Sequence, residues 1–247
     1  MVQANYELRS LSHIASHDIK GPLKNIGNFL GLIKRKIPAN IIAGMEMEFS
    51  FIDTGFKQVY TFLDDFTQYI NVAKMDWENA ETVDLNEVME DIKHNLLVSE
   101  KHKGKEVMLH ELSAISSNRS ALYFIFKNFV ENGLKYNLSD LPTVEVSQKE
   151  TADEIQILVK DNGIGFEEKY KEKIFKMHVR LQNNSQFEGT GLGLAIVHVL
   201  CKKIKGRIDV ESEVGKGSLF TLSLPKKLLV AREEPVLQEV DLSLIHI

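Results

Sequence analysis

Cysteine is nearly absent from this sequence: among 247 residues there is only Cys201. A single thiol forms no internal disulfide, so we expect a reducing, cytoplasmic location and a small buried side chain at Cys201. An excess of basic residues is also missing, because 30 Lys and Arg stand against 35 Asp and Glu, for a net charge of -5. This balance argues against nucleic acid or an anionic membrane as a partner.

Long apolar runs are lacking too. None approaches the roughly 18 residues that a membrane-spanning helix needs, and the N-terminus does not have the basic-then-apolar order of a signal peptide. We therefore predict no membrane segment in this chain. What is present, 43% hydrophobic and 26% charged residues, is typical of a globular protein. The helical pattern of Leu8, Leu11 and Ala15 starts without a cap or turn, which indicates a piece of a longer protein.

The first organised block, from about residue 5 to residue 74, indicates two long helices joined near residues 38–44. A narrow apolar seam of this kind cannot be buried by one helical hairpin, so we predict a dimeric four-helix bundle and therefore a homodimer. The seam residues recur at alternating steps of four and three: Ile19, Leu23, Ile26, Leu30, Ile33 and Ile37, then Ile52, Phe56, Val59, Leu63, Phe66, Ile70 and Ala73.

One histidine near the start has an unusual setting. At about 100° per residue, His17 lies opposite the apolar stripe of the first helix and should face solvent. Pro22 has no amide hydrogen to give the carbonyl of Asp18, so the helix should be loosened beside His17. A neutral imidazole is a competent nucleophile near pH 7 when an acceptor holds its other ring nitrogen. His13, one turn earlier, is the rival site.

After a predicted linker at 76–82 the sequence alternates between helical and extended patterns. This mixed order predicts an α/β sandwich in which helices cover one face of a sheet, and therefore an α+β chain overall. We expect helices at 85–100, 118–137 and 191–203, and strands at 107–112, 143–148, 155–160, 206–212 and 218–224.

Polar side chains cluster on the second of these helices. Asn128, Asn132 and Lys135 stand at i, i+4 and i+7, which places two amides and an ammonium on one face. An amide oxygen is a suitable hard ligand for Mg²⁺, a cation that keeps several waters and bridges phosphates.

Two glycine-rich segments follow. Residues 161–166, Asp-Asn-Gly-Ile-Gly-Phe, come directly after an apolar strand, and residues 188–195, Glu-Gly-Thr-Gly-Leu-Gly-Leu-Ala, lead into an apolar helix. Glycines before a helix expose backbone amides to phosphate oxygens. The second segment is neither a dinucleotide fingerprint, since Leu194 stands where a third glycine is required, nor a P-loop.

In their order along the chain, these segments resemble the conserved boxes of sensor histidine kinases of two-component systems. Residues 16–23, Ser-His-Asp-Ile-Lys-Gly-Pro-Leu, look like the H-box, and residues 128–136 look like the N-box. Residues 161–166 and 188–195 resemble the two glycine boxes. Residues 174–180 resemble the F-box and the start of an ATP lid, although Met177 and His178 depart from the usual residues.

The resemblance implies an ATP-dependent protein histidine kinase. It would phosphorylate His17, with Asp18 holding the imidazole, and pass the phosphoryl group to the aspartate of a response-regulator receiver domain. Mg²⁺ would bind Asn132, and Asp161 would accept a hydrogen bond from the adenine amine. The remaining ATP-binding positions that the resemblance implies are Asn128, Lys135, Tyr136, Gly163, Gly165, Arg180, Gly189, Thr190, Gly191, Leu192 and Gly193.

The resemblance also predicts the organisation of the chain. Residues 1–75 would form the dimerisation and phosphotransfer hairpin and residues 83–225 the catalytic ATP-binding domain, with an upstream sensor domain missing from this chain. Residues 226–247 carry no motif. Gly21 stands where kinases that dephosphorylate their regulators usually carry Thr or Asn, so we predict weak phosphatase activity. A nucleotide-gated machine like the chaperone and topoisomerase ATPases, and a non-catalytic dimer scaffold, are the alternatives.

Overall fold

The computed structural model describes residues 19–42, 44–74, 80–98, 104–176, 179, 181, 187 and 190–230. A helical hairpin precedes a mixed region of helices and strands. The hairpin contains α1 (Lys20–Lys36), the short α2 (Ala39–Ile42) and α3 (Glu46–Lys74). The mixed region contains β1 (Glu81–Asp84), α4 (Leu85–Leu97), β2 (Glu106–Leu109), β3 (Ala114–Ser117), α5 (Arg119–Lys135), β4 (Thr143–Glu150), β5 (Glu154–Asp161), α6 (Gly193–Lys203), β6 (Arg207–Glu213) and β7 (Gly217–Pro225). Short 3-10 helices occupy Glu168–Tyr170, Lys173–Phe175 and Lys226–Leu228.

The hairpin buries only part of its apolar seam. Ion pairs join α1 to α3, including Lys34 with Asp53 at 2.7 Å. Leu63 and Ile70 of α3 are buried, whereas Ile26 and Ile33 of α1 are 51% and 49% exposed. The exposed seam residues are seven positions apart, so one heptad position faces into the hairpin and the other faces outward. None of the helices in the described part of the chain is both long and apolar enough to cross a membrane.

The main sheet has five strands in the order β2-β4-β5-β7-β6. The β2 and β4 strands are parallel, and every other neighbouring pair is antiparallel. Side chains alternate between the faces of a strand, and the members of one face pack into a single core with α4, α5 and α6. The opposite face carries polar residues such as Glu145, Lys160 and Asp209. The prediction of a mixed architecture with helices on one face of a sheet is therefore confirmed.

Two short strands escaped the sequence patterns. β1 and β3 pair antiparallel in a sheet of their own, and β1 begins at Glu81, inside the linker predicted at 76–82. Each has only four residues, too few for a period-two pattern to stand out. The predicted strand 107–112 is also too long. β2 ends at Leu109, and the amide of Leu112 donates a hydrogen bond to the Asn86 side chain at 2.9 Å.

The first residues of the predicted tail belong to the folded domain. Leu229 forms an antiparallel bridge with Ile115, and the amide of Val230 donates to the carbonyl of Ala114 at 3.0 Å. The rest of the tail, residues 231–247, lies outside the described residues.

Candidate nucleotide-binding site

Asp161 ends β5 on the helix-facing side of the sheet. Alternation along the strand places it on the same face as Ile157 and Val159, and it is only 9% exposed. Its Oδ1 atom accepts the amides of Gly163 at 2.8 Å and Ser218 at 3.1 Å. Burial raises the pKa of Asp161, and these two hydrogen bonds oppose the rise. Oδ2 makes no hydrogen bond to the residues that the structure describes, so one acceptor is left for a ligand.

The first glycine box folds tightly against its neighbours. A Cβ atom on Gly163 would lie 2.4 Å from the carbonyl oxygen of Tyr136, and one on Gly165 would lie 2.0 Å from that of Glu213. Gly165 also has a φ of +60°, which favours glycine. Both glycines are therefore required by close backbone approach.

A third glycine joins the N-box helix to this strand end. A Cβ atom on Gly133, in α5, would stand 2.8 Å from both Asp161 Cβ and Val144 Cγ2. The missing side chain lets α5 approach the sheet closely, with Phe129 stacked on Phe220 at 4.8 Å between ring centroids. Asn132, the residue before Gly133, is thereby brought to the same end of the sheet as Asp161.

The two asparagines of α5 differ in their surroundings. The Asn128 amide donates to the carbonyl of Phe124 at 2.9 Å, and its Oδ1 lies 2.2 Å from the position that a Cβ atom on Gly193 would occupy. Gly193 thus lets α6 begin directly against Asn128. The half-buried Asn132 makes no side-chain hydrogen bond to the described residues, so its amide oxygen is available to a metal ion.

The basic and aromatic residues at the end of α5 form a small cluster. The Lys135 ammonium lies 4.8 Å from the centroid of the Tyr136 ring, a cation–π distance. The ring of Phe187 packs against the ring of Tyr136, with 5.2 Å between the two ring centroids. Lys135, Tyr136 and Phe187 therefore lie together at the end of α5.

The second glycine box leads into α6. Gly191 has a φ of +74°, so the helix starts at Gly193 rather than at the predicted residue 191. The capping residue Leu192 makes no side-chain capping bond, which leaves the first amides of α6 open to an anion. The Thr190 hydroxyl accepts the amide of Leu192 at 3.3 Å and donates to Asp65 of α3.

Four predicted site residues lie outside the described part of the chain: His17, Asp18, Arg180 and Gly189. The others gather where β5, α5 and α6 meet. Sequence reasoning missed Ser212 and Ser218, cross-strand partners in β6 and β7 whose contacts hold the first glycine box. The Gly-Lys-Gly-Ser sequence at residues 215–218, a typical turn pattern, is the signal that points to this pair.

The comparisons with known proteins agree with this geometry. Residues 117–228 match the family described as histidine kinase-, DNA gyrase B-, and HSP90-like ATPase. The phytochrome-like protein Cph1 of Synechocystis sp. is 31% identical over 229 residues, which cover 90% of this chain and 30% of that protein. The histidine protein kinase SaeS of Staphylococcus aureus is 28% identical over 220 residues, covering 85% of this chain and 62% of SaeS. The chain therefore contains a histidine-kinase-type ATPase domain, and the relatives named above include a histidine protein kinase.

Solved structures share the fold of this chain. The structure of full-length ShkA in complex with AMPPNP has a TM-score of 0.66 at 21% identity, covering 94% of this chain and 47% of ShkA. The Acinetobacter baumannii histidine kinase AdeS has a TM-score of 0.54 at 17% identity, covering 85% and 97% of the two chains. The sequence-based identification of a kinase-type ATPase domain is confirmed. The chain spans about a third of the length of the phytochrome-like relative and less than two thirds of SaeS.

Proposed function

We propose that this chain is the kinase portion of an ATP-dependent protein histidine kinase that phosphorylates its own His17. The observation that carries the proposal is the meeting of three features at one end of the sheet. These are the buried carboxylate of Asp161, the amide face of α5 and the open N-terminus of α6. A buried carboxylate suits a base amine, and open helix amides suit phosphate.

The residues at this site fit ATP with Mg²⁺. Asp161 would accept the adenine amine, and Lys135 would neutralise phosphate charge. Asn132 would hold Mg²⁺, which when bound neutralises the charge on the transferred phosphoryl group. Asn128 would support the site through its close contact with Gly193 at the start of α6. The remaining proposed contacts come from the glycine boxes and the residues around the lid: Tyr136, Gly163, Gly165, Arg180, Gly189, Thr190, Gly191, Leu192 and Gly193.

In the proposed reaction a ring nitrogen of His17 attacks the γ-phosphorus in line. The N–P bond forms as the bond from phosphorus to the bridging oxygen breaks, and ADP leaves. Asp18 holds the other ring nitrogen and stabilises the positive charge that develops on the imidazole. The phosphohistidine then donates its phosphoryl group to the aspartate of a response-regulator receiver domain.

The hairpin is proposed to dimerise. The exposed seam residues Ile19, Ile26 and Ile33, with Ile52 and Val59 of α3, form outward apolar positions at heptad spacing. A second copy of the hairpin would cover them in a four-helix bundle. Residues 1–75 would be this dimerisation hairpin. The ATP-binding domain, predicted at residues 83–225, would extend from Glu81 to Val230. We propose a cytoplasmic location and an upstream sensor domain.

Labelling with γ-³²P-ATP and Mg²⁺ tests the proposal. We expect label on the protein that is lost in acid and stable in alkali, as for a phosphohistidine. His17→Gln should eliminate the label while ATP binding persists, and His13→Gln should retain it. Label that survives acid, or no label on a protein that binds ATP, would contradict the kinase assignment. Loss of label in His13→Gln alone would show that His13 is the acceptor.

A further inference from the structure

The hydroxyl of Ser212 sits at the centre of three hydrogen bonds. It accepts the amide of Phe166 at 2.9 Å and donates to the carbonyl of Gly217 at 3.0 Å. It also lies 3.0 Å from the hydroxyl of Ser218, its cross-strand partner. Phe166 ends the first glycine box, whereas Gly217 and Ser218 begin β7, so Ser212 joins the two.

The direction of these bonds follows from counting protons. A serine hydroxyl has one donor hydrogen and two acceptor lone pairs. The carbonyl of Gly217 can only accept, so the Ser212 hydroxyl donates its proton to that carbonyl. The Phe166 amide can only donate, so it occupies one of the two lone pairs of the Ser212 oxygen. The second lone pair of Ser212 remains for Ser218, which must donate. The proton of Ser218 is therefore committed to Ser212, and the Ser218 oxygen is left as an acceptor.

This acceptor stands beside Asp161. The Ser218 amide donates to Asp161 Oδ1 at 3.1 Å. Strand alternation places Ser212, Ser218 and Asp161 on the helix-facing side of the sheet, in line with the buried Val210, Phe220 and Val159. The edge that receives the base thus presents a carboxylate oxygen and a hydroxyl oxygen, both of them acceptors.

We propose that Ser212 is a specificity-determining residue: by holding the Ser218 proton it keeps this edge acceptor-only and selects bases that carry an amine over bases that carry a carbonyl. The inference rests on the proposed ATP-binding function of the same site. Adenine carries an exocyclic amine, which can donate hydrogen bonds to the two acceptors. Hypoxanthine, the base of ITP, offers a carbonyl oxygen at that position, which two acceptors repel.

Ser212→Ala tests the proposal in the full chain. Without Ser212 the hydroxyl of Ser218 is free to turn and donate to a carbonyl, so ITP should gain affinity relative to ATP. The ratio of ATP to ITP affinity, measured by competition against a fluorescent ATP analogue with Mg²⁺, should fall by about five- to tenfold, the size of one neutral hydrogen bond. Ser212→Thr keeps the hydroxyl and should keep the wild-type ratio.

A double-mutant cycle separates this role from a structural one. Ser218→Ala removes an acceptor without touching the Phe166 amide and should also lower the ratio, so it serves as the test if Ser212→Ala folds poorly. In the Ser218→Ala background, Ser212→Ala should cause no further fall, because the proton that it frees is gone. Ser223→Ala is the matched control, since Ser223 is a buried, hydrogen-bonded serine further along β7.

The outcomes are distinguishable. An unchanged ratio in both Ser212→Ala and Ser218→Ala would overturn the inference while leaving ATP binding intact. An equal fall for Ser212→Ala with and without Ser218 would also overturn it, because the effect would then not pass through Ser218. If the unmodified protein bound neither nucleotide, the proposed function itself would fail.

Discussion

The hydroxyl of Thr190 donates a hydrogen bond to the Asp65 carboxylate, 125 positions earlier in the chain. The contact ties the second glycine box to α3, and α3 also packs on α6. A carboxylate and a phosphate would compete for the same loop, since both are anions that accept hydrogen bonds. Asp65 of α3 and the phosphates of a bound nucleotide would thus compete for this loop.

This attachment should depend on pH. Burial raises the pKa of Asp65 above its ordinary value of 3.8, whereas the hydrogen bond from Thr190 lowers it. The nearby charges of Asp64 and Glu131 add to the rise, Lys135 opposes it, and the pKa remains raised overall. When Thr190 is attached to Asp65, the Asp65 carboxyl binds its proton more tightly than it does when the two are apart. Attachment is therefore strongest below pH 3.8. It weakens as the pH rises through the raised pKa.

Energy transfer between dyes on Lys57→Cys and Lys203→Cys measures the attachment. Cys201 stays unlabelled, because burial raises the pKa of its thiol to about 12. Transfer should fall as the pH rises, and Asp65→Asn should remove this dependence. Asp53→Asn, which breaks the pair with Lys34, is the control and should keep it. A flat profile in the unmodified chain would contradict the prediction.

The two asparagines of α5 should separate stability from activity. Asn132→Ala should abolish Mg²⁺-dependent labelling but change the free energy of unfolding by no more than about 0.5 kcal/mol, because it removes no hydrogen bond to the described residues. Asn128→Ala should cost about 1 kcal/mol of stability, since the bond to the Phe124 carbonyl is lost. Denaturant unfolding and labelling on the same samples check both. Wild-type labelling in Asn132→Ala would rule out the metal role.

Asp161→Asn should weaken ATP binding by about 1–3 kcal/mol through the loss of a charge-assisted hydrogen bond. The fold should not suffer. An amide oxygen can still accept the amides of Gly163 and Ser218, and the cost of burying an ionised carboxylate disappears. With its raised pKa, Asp161 makes the wild-type domain less stable as the pH rises above 3.8. In thermal unfolding, Asp161→Asn should no longer show the loss of stability above pH 3.8 that Asp161 causes. A pH profile identical to that of the wild type would contradict this prediction.

Glycines in one turn should respond unequally to alanine. Gly215 and Gly217 have φ values of +80° and +98°, but a Cβ atom on Gly215 meets nothing within 4 Å. On Gly217 it would lie 2.0 Å from the carbonyl oxygen of Asp161. Gly215→Ala should therefore cost about 1–2 kcal/mol for the left-handed backbone. Gly217→Ala should cost about 3 kcal/mol or more and reduce ATP binding, because the strand end must move. Equal costs in chemical denaturation would contradict this.

Gly21 should limit phosphatase activity on the regulator. A hydroxyl or amide at this position could orient the attacking water, and Gly has neither. A Cβ atom on Gly21 meets nothing within 4 Å, so α1 can accept Gly21→Thr. The expected result is a gain in dephosphorylation rate with autophosphorylation kept, assayed on the phosphorylated receiver domain. Gly21→Ala is the control, and loss of kinase activity in both variants would indicate a hinge at Gly21 instead.

Long, strongly periodic elements were predictable from the sequence. The apolar stripes of α3, α5 and α6 and the alternation in β4, β5 and β7 are each repeated often enough to identify the element. The helix ends were less predictable because single residues decide them: the side chain of Asn118 caps α5, and the positive φ of Gly191 delays α6.

The candidate site was predictable from its motifs but not from its supports. The positions of Asn128, Asn132 and Asp161 follow from recognisable segments. The roles of Gly133 and Ser212 do not, because they depend on which strands become neighbours and how closely a helix approaches them. A single buried hydroxyl or a missing Cβ leaves no periodic trace in a sequence.

The small β1–β3 sheet has a mechanical meaning. β1 is the first described strand after α3, and Leu229 and Val230, the last described residues, attach to β3. The entry and exit of the ATPase domain are thus fastened to the same few residues. A force applied along the chain, between the helices before β1 and the residues after Val230, would act first on the contacts of β1, Leu229 and Val230 with β3. The five-stranded sheet that bears Asp161 would feel little of that tension.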